Sequence, residues 1–361
     1  VEGEVMKIGS CFSGVGAMDL GVSEFFGADT STAWFIERES YPRKVLARHF
    51  PGVPCYEDIT AIDPADLEPV GIMVGGPPCT DLSVAGKGAG LHGEKSRLFF
   101  DMVNIAKVLQ PRYVMIENSP VLLDKWRGTV EGAFEDAGYG VTWARLSAAH
   151  VGAPHLRWRC FLLAELGGTH KGVCFPPALP RLDRWPTPAA SSFNDNEDVG
   201  EYMARRERVK ESAGNGNGFG VQLPIAVRRA TPAARDHKDS GHEVSQQARN
   251  APALTCEAVM GTDDKAQRLS PAWCETLQGL PVNWTELEGD LDPRPWPAHR
   301  IDGMWGDSPQ HDHEPPRLCD PKTVPNRRSR LKALGNLNPP QVYTRALEML
   351  TTGPRQGMLF D

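Results

Sequence analysis

Short apolar runs alternate with amphipathic segments through the first 165 residues of the chain. Val5-Met6-Lys7-Ile8-Gly9, Ala33-Trp34-Phe35-Ile36-Glu37, Gly71–Val74 and Tyr113-Val114-Met115-Ile116-Glu117 each read as a buried strand. Val141–Arg145 and Cys160–Ala164 continue the series. Helical patterns lie between them, through Met18-Asp19-Leu20, over Tyr41–Phe50 and over roughly Ser96–Leu109. Strands alternating with helices predict an α/β fold with a doubly wound, mostly parallel sheet. Ligands of such sheets bind at the carboxyl ends of the strands.

After about Leu166 the periodicity fades, and Pro, Gly, Ser, Arg and Asn dominate through Gly261. This stretch is expected to form a second, smaller, loop-rich domain, and loops of that kind often carry recognition. Gly214–Gly220 reads as a mobile loop, and Pro340–Thr351 as an amphipathic helix that returns to the first domain.

Composition narrows the class. The chain has 361 residues, 40% hydrophobic and 24% charged, as in an ordinary soluble protein of two domains. No apolar run is long enough to span a bilayer, and no signal peptide is read at the start. Eight cysteines without a C-x-x-C pair argue for a reducing, cytoplasmic setting and against a zinc cluster. His311, His313 and Cys319 read as an exposed loop rather than a metal site. The formal charge of -7 lends no support to nucleic-acid binding. Basic residues do cluster locally, at Arg205–Lys210, Arg228–Arg235 and Arg327–Lys332. Each cluster is either a solvated helix face or part of a basic groove.

Pro77-Pro78-Cys79 is the strongest chemical signal. An apolar strand, the flexible pair Gly75-Gly76 and two prolines stage a single thiol at the mouth of the sheet, as a nucleophile requires. Thr80–Gly93, with Ser83 and Lys87, reads as a lid or as a plain surface loop. Glu117-Asn118 ends a strand and faces the same cleft, where its carboxyl group can hold a proton for a heterocycle nitrogen. Strand alternation sends Arg157 and Arg159 to one side, fit to polarise a carbonyl or bind a phosphate. Phe12-Ser13-Gly14-Val15-Gly16 follows the first strand without a complete G-x-G-x-x-G, which favours a cofactor lacking phosphates. Glu37 and Asp58, at successive strand ends, suit an adenosyl ligand, although each can equally be a helix cap.

In this order the pieces resemble the C5-cytosine DNA methyltransferase family. The resemblance covers residues 1–164, 268–284 and 331–350. It rests on Ser10–Gly16, Gly76-Pro77-Pro78-Cys79, Leu98–Asp101, Glu117-Asn118-Ser119 and Gly152–Arg159. Arg268–Pro271, Gln278–Pro281 and Gly335–Pro339 complete it. The chain departs from the family pattern at Ser10 (usually acidic), Ala17 (glycine), Ser119 (valine), His155 (glutamine) and Asn338 (small and apolar). The Trp-Pro-Thr-Pro segments are similar to those of phage or mobile-element members.

The resemblance implies a Rossmann-like S-adenosylmethionine-dependent domain, residues 1–165 plus 329–361, and a target-recognition domain, residues 166–328. It implies methyl transfer to C5 of a flipped-out cytosine in duplex DNA, by a monomer without metal, in a bacterial or phage-infected cell. Cys79 would attack C6, Glu117 would bond N3 and the amino group, and Arg159, helped by Arg157, would contact the carbonyl from the opposite edge of the ring. Phe12–Gly16, Glu37, Arg38, Asp58, Ile59, Pro78, Leu98 and Asn336 would hold the cofactor. Ser83, Lys87, Arg228 and Arg229 would meet DNA. A tRNA cytosine methyltransferase and a non-catalytic DNA-binding regulator of the same fold are the alternatives.

Overall fold

The computed structural model describes residues 5–78, 94–153, 155–176, 199–213, 268–289, 315, 318–320 and 322–352. Two compact units share the chain. The first comprises Val1–Ala153, Arg157–Arg181 and Leu337–Asp361, and the second Pro154–Leu156 and Leu182–Asn336.

The first unit is built on one sheet. Its strands are β1 (Met6–Cys11), β2 (Thr30–Ile36), β3 (Cys55–Tyr56), β4 (Ile72–Gly75), β5 (Tyr113–Asn118), β6 (Tyr139–Ser147), β7 (Trp158–Leu166) and β8 (Gly172–Cys174). Their order across the sheet is β3-β2-β1-β4-β5-β7-β6-β8. The first five run parallel, whereas β7 is antiparallel to both β5 and β6. Helices α1 (Ala17–Phe26), α2 (Ser40–His49), α3 (Glu94–Leu109) and α4 (Pro120–Glu135) connect the parallel strands and follow β5. Every strand and helix expected from the periodicity is present, with its ends displaced by a few residues. The sheet is mostly parallel, as expected, and β7 is the strand that runs against the others. Only 10 residues separate β6 from β7, too few for the crossover a parallel pair needs.

The central strands are apolar on both faces. Met73, Val74, Ile116, Phe161 and Leu162 are all buried, as expected for strands covered by helices on both sides. Ser119 caps α4 and Pro120 takes its first position. Its apolar stripe, Leu122, Leu123, Val130 and Phe134, is buried, so Glu117 and Asn118 sit at a strand-to-helix joint with little freedom. A later helix of this unit, Pro340–Thr352, buries Val342, Tyr343, Ala346, Leu347 and Leu350 and packs against α1, β6 and β7.

Asp19 knots α1 to the sheet. Its carboxyl group is buried and accepts from Ser10 Oγ of β1 at 2.9 Å and from Thr32 Oγ1 of β2 at 3.1 Å. Position 10, a serine, thus has a carboxyl group at its hydroxyl, supplied by Asp19. Burial pushes its pKa up to about 7, the two hydroxyls lowering it only in part. The folded state therefore keeps a proton that the unfolded chain has released, across roughly pH 4 to 7. Stability from this group is present at low pH and lost as pH rises through that window. Asp19→Asn is expected to flatten the fall of Tm between pH 5 and 8 and to raise Tm at pH 8. Equal slopes for the two proteins in a series of thermal scans would contradict this.

The second unit contains α5 (Val199–Ala213), the two-stranded pair β9 (Arg268–Leu269) and β10 (Leu318–Cys319), α6 (Pro271–Leu277) and α7 (Arg327–Asn336). With these defined, the helix Pro340–Thr352 is α8. The expected mobile loop at Gly214–Gly220, and Arg228 and Arg229, lie outside the described residues. Of the basic cluster at 327–332, Arg327 and Arg330 are buried. The cluster is thus split: Arg328 and Lys332 are exposed, whereas Arg330 is enclosed by acids of its own unit. No helix among the described residues is long and apolar enough to cross a membrane. No group of three or more His, Cys, Asp or Glu among them could hold a metal ion.

Candidate active site

Four strand ends of the first unit converge on one region: β1, β2, β4 and β5. Cys79, and Ser83 and Lys87 of the loop read as a lid or a surface loop, lie outside the described residues. The chain leading to Cys79 is described through Pro78, and it is anchored. Asn118 Nδ2 donates to Pro77 O at 3.0 Å, and Asn118 Oδ1 accepts from Ser119 N at 2.8 Å. One buried amide thus ties the prolines to the end of β5.

Glu117 stands beside this anchor. Its Oε1 accepts from Arg159 Nε at 2.7 Å and from Asn338 Nδ2 at 3.0 Å. A Cβ on Gly76 would lie 3.2 Å from Oε2. The glycines before the prolines thus provide room rather than the flexibility expected of them. At Gly75 a Cβ would fall 2.9 Å from Cys11 O. Arg159 also donates to the Trp158 carbonyl at 2.8 Å. Arg157 is buried, and burial first, then the charge of Arg159, lowers its pKa to about 10, with Glu117 opposing the shift. It remains a cation at neutral pH.

The expectation that acid and guanidinium flank a base from opposite edges needs correction, because the two are direct partners. Strand register explains it: β5 and β7 are antiparallel neighbours with Glu117 opposite Phe161, so Arg159 falls just beyond the β5 end. N3 and the 2-carbonyl oxygen are adjacent on a cytosine ring, so paired groups can address both. Asn338 was expected only as a departure from pattern, and its bond to the acid was not foreseen. Nothing in the local sequence signals a contact between residues 221 positions apart.

Cys160 lies nearby but cannot be the nucleophile. It is buried, donates to Ser119 O at 3.0 Å, and burial first, then the charge of Glu117, pushes its pKa up to about 12. Burial drives the Cys11 thiol higher still.

The turn after β1 is built by its polar groups. Ser13 Oγ donates to Ser10 O at 2.9 Å. Gly14 N donates to Glu37 Oε2 at 2.8 Å, and Glu39 N to Glu37 Oε1 at 2.7 Å. Phe12, Gly14 and Gly16 all have positive φ, at 54°, 55° and 83°. At Gly16 a Cβ would also press on Phe50, 2.8 Å away. Val15 is buried, and Phe12 packs partly buried against the core. Burial raises the Glu37 pKa, and its two backbone bonds counter that only in part.

Asp58 is exposed and caps a short 3-10 turn, accepting from Thr60 N at 2.9 Å and Thr60 Oγ1 at 2.8 Å. Those bonds lower its pKa. Ile59 beside it is buried, Arg38 is exposed, and Leu98 packs partly buried on the core. Asn336 is the exposed last residue of α7, in the second unit.

The sites of the second unit are held by their own bonds. His155 Nε2 is 3.0 Å from Leu277 O, which only accepts, so that nitrogen carries the proton. Gln278 Nε2 donates to Leu334 O at 2.9 Å.

The profile of the C-5 cytosine-specific DNA methylase family matches residues 6–291. Type II methyltransferase M2.BsuMI of Bacillus subtilis (strain 168) is 32% identical over 292 residues, 78% of this chain and 67% of that protein. Type II methyltransferase M.SsoII of Shigella sonnei is 26% identical over 286 residues, 76% and 70% of the two chains. Among solved structures, a triple mutant of Spodoptera frugiperda DNMT2 superposes with a TM-score of 0.55 at 16% identity. The match covers 96% of this chain and 99% of that one. The Entamoeba histolytica methyltransferase EhMeth gives 0.53 at 12%, covering 97% and 99%. At these identities the two structures speak to the fold alone.

Proposed function

The chain belongs to the C-5 cytosine-specific DNA methylase family and is a DNA cytosine-5 methyltransferase, and on that premise we propose how its residues carry the reaction. The substrate is a cytosine turned out of duplex DNA, since C6 is unreachable inside the stack. Cys79 adds to C6 as a thiolate and forms a Cys79–C6 bond. Glu117 bonds N3 and the amino group, which draws electron density from C6. Arg159 holds the adjacent carbonyl oxygen, and Arg157 supports it from the buried side. Addition turns C5, otherwise a poor nucleophile, into an enamine carbon. After transfer a base removes the C5 proton, the Cys79–C6 bond breaks, and the aromatic ring is restored.

S-adenosylmethionine fits the turn after β1. Both Glu37 oxygens keep a lone pair beyond their backbone bonds, enough to accept from two ribose hydroxyls. Phe12–Gly16, Glu37, Arg38, Asp58, Ile59, Pro78, Leu98 and Asn336 hold it. When bound it supplies a methyl group on a sulfonium, the electrophile this reaction needs.

Residues 1–165 plus 329–361 form the catalytic domain and residues 166–328 the recognition domain. The compact units, which change over near residues 181 and 337, support a division of this kind. Ser83 and Lys87 meet DNA from the loop after Cys79, and Arg228 and Arg229 from the recognition domain. The chain acts as a monomer.

The observation that carries the mechanism is the Glu117–Arg159 pair, set beside a proline segment pinned by Asn118. The test is transfer of label from methyl-labelled S-adenosylmethionine to mixed-sequence duplex DNA and, separately, to unmodified tRNA. Label in 5-methylcytosine of the duplex is the expected result. Label in tRNA alone would replace the substrate, and binding of DNA and cofactor without transfer to either would leave a regulator.

A further inference from the structure

We infer that Asn338 is a positioning residue for Glu117. The inference rests on Glu117 being the acid of the reaction. Asn338 lies between α7 and α8, only 1% exposed, and its Nδ2 donates to Glu117 Oε1 at 3.0 Å. Arg159 Nε holds the same oxygen at 2.7 Å. A carboxylate oxygen offers two lone-pair sites, so these two donors fill Oε1. Oε2 is the oxygen left for a substrate, on the side of Gly76 where a Cβ would come within 3.2 Å. Arg159 alone would let the carboxyl group swivel about a single bond. A second donor from another segment fixes which oxygen faces the base and where its plane lies.

The other end of the amide argues that this contact is not there for folding. Asn338 Oδ1 is buried with no hydrogen-bond partner among the described residues. A buried acceptor without a partner costs stability, and an apolar side chain of the same shape would avoid that cost. The reverse amide orientation would set two oxygens against each other. Asn338 therefore gives up stability to place one donor on the acid.

The test uses Asn338→Val and Asn338→Ala in the full chain. The probe is a kilobase-length duplex in which 5-fluorocytosine replaces cytosine, so that no target sequence need be known. The single-turnover rate of denaturant-stable complex formation is measured with saturating S-adenosylmethionine. Both variants are expected to react about 10- to 100-fold more slowly, as when one hydrogen bond to a charged group is lost. The KM for S-adenosylmethionine and the Kd for unmodified duplex should stay within about twofold, and Tm should not fall. A rate within about threefold of the parent, or a loss that appears in KM, Kd or Tm instead of the rate, would overturn the inference. Failure of the parent protein itself to form the complex would instead strike at the reading of Cys79 and Glu117.

Discussion

Cys79→Ala is expected to abolish methyl transfer, by about 10⁴-fold or more, the scale seen when a covalent nucleophile is removed. The size follows from the chemistry. Without addition at C6, C5 must attack the sulfonium methyl group as part of an intact aromatic ring. The described thiol beside the acid does not take over. Cys160, the nearest candidate beside Glu117, stays protonated because burial pushes its pKa up to about 12. Its hydrogen bond to Ser119 O also points it into the strand joint. Duplex DNA binding should survive the substitution, since phosphate and groove contacts do not pass through the sulfur. Two assays check this: label transfer from S-adenosylmethionine, and the denaturant-stable complex with 5-fluorocytosine DNA. A complex that still forms in the alanine variant would remove Cys79 from its role.

The spacing of apolar runs was enough to place the parallel strands and the carboxyl ends at which Glu37, Pro78 and Glu117 sit. Burial on two faces leaves a continuous apolar signature, so these strands stand out from any neighbour. The direction of β7 does not show in its composition. It was nonetheless legible in the short connection from β6, which no parallel crossover could fit. The glycines at 75 and 76 suggested freedom of the backbone, but Cys11 O and Glu117 Oε2 occupy the space that side chains would fill. That reason depends on a neighbouring strand and is invisible locally. The basic run Arg327–Lys332 hid the burial of Arg327 and Arg330 for a similar cause. Charge along a helix does not reveal that acids 44 and 55 residues earlier enclose one of its members. The pairing of Glu117 with Arg159 and Asn338 also arises from tertiary register, so the sequence named the acid and the arginine without their arrangement.

Arg330→Ala is expected to destabilise the second unit by about 3–5 kcal/mol, the range found when one member of a buried ion pair is removed. Arg330 is 2% exposed and Glu275 fully buried. The guanidinium reaches Glu275 Oε1 at 3.0 Å, Thr285 Oγ1 at 3.1 Å and Glu286 Oε2 at 3.2 Å. Glu275 in turn accepts from Asn283 N at 2.6 Å and Thr285 N at 2.9 Å, and from the Thr285 hydroxyl. Arg330 therefore joins α7 to the turn at 282–286 through Thr285 and Glu286, and to α6 through the Glu275 carboxylate. Truncating it leaves that carboxylate buried with dipoles but no cation. Replacing both partners by apolar residues of similar volume, as in Glu275→Leu with Arg330→Met, should cost less than the sum of the two single changes, because neither charge is then stranded. Urea unfolding of the full chain, with hydrogen exchange read on residues 271–286, measures both effects. A single loss below about 1 kcal/mol would show the network to be mere surface-grade pairing. Strict additivity of the double variant would show that the two side chains do not depend on each other. If the coupling is found, the segment 268–284 holds its shape through a charge that the sequence presents as one more arginine in a basic helix.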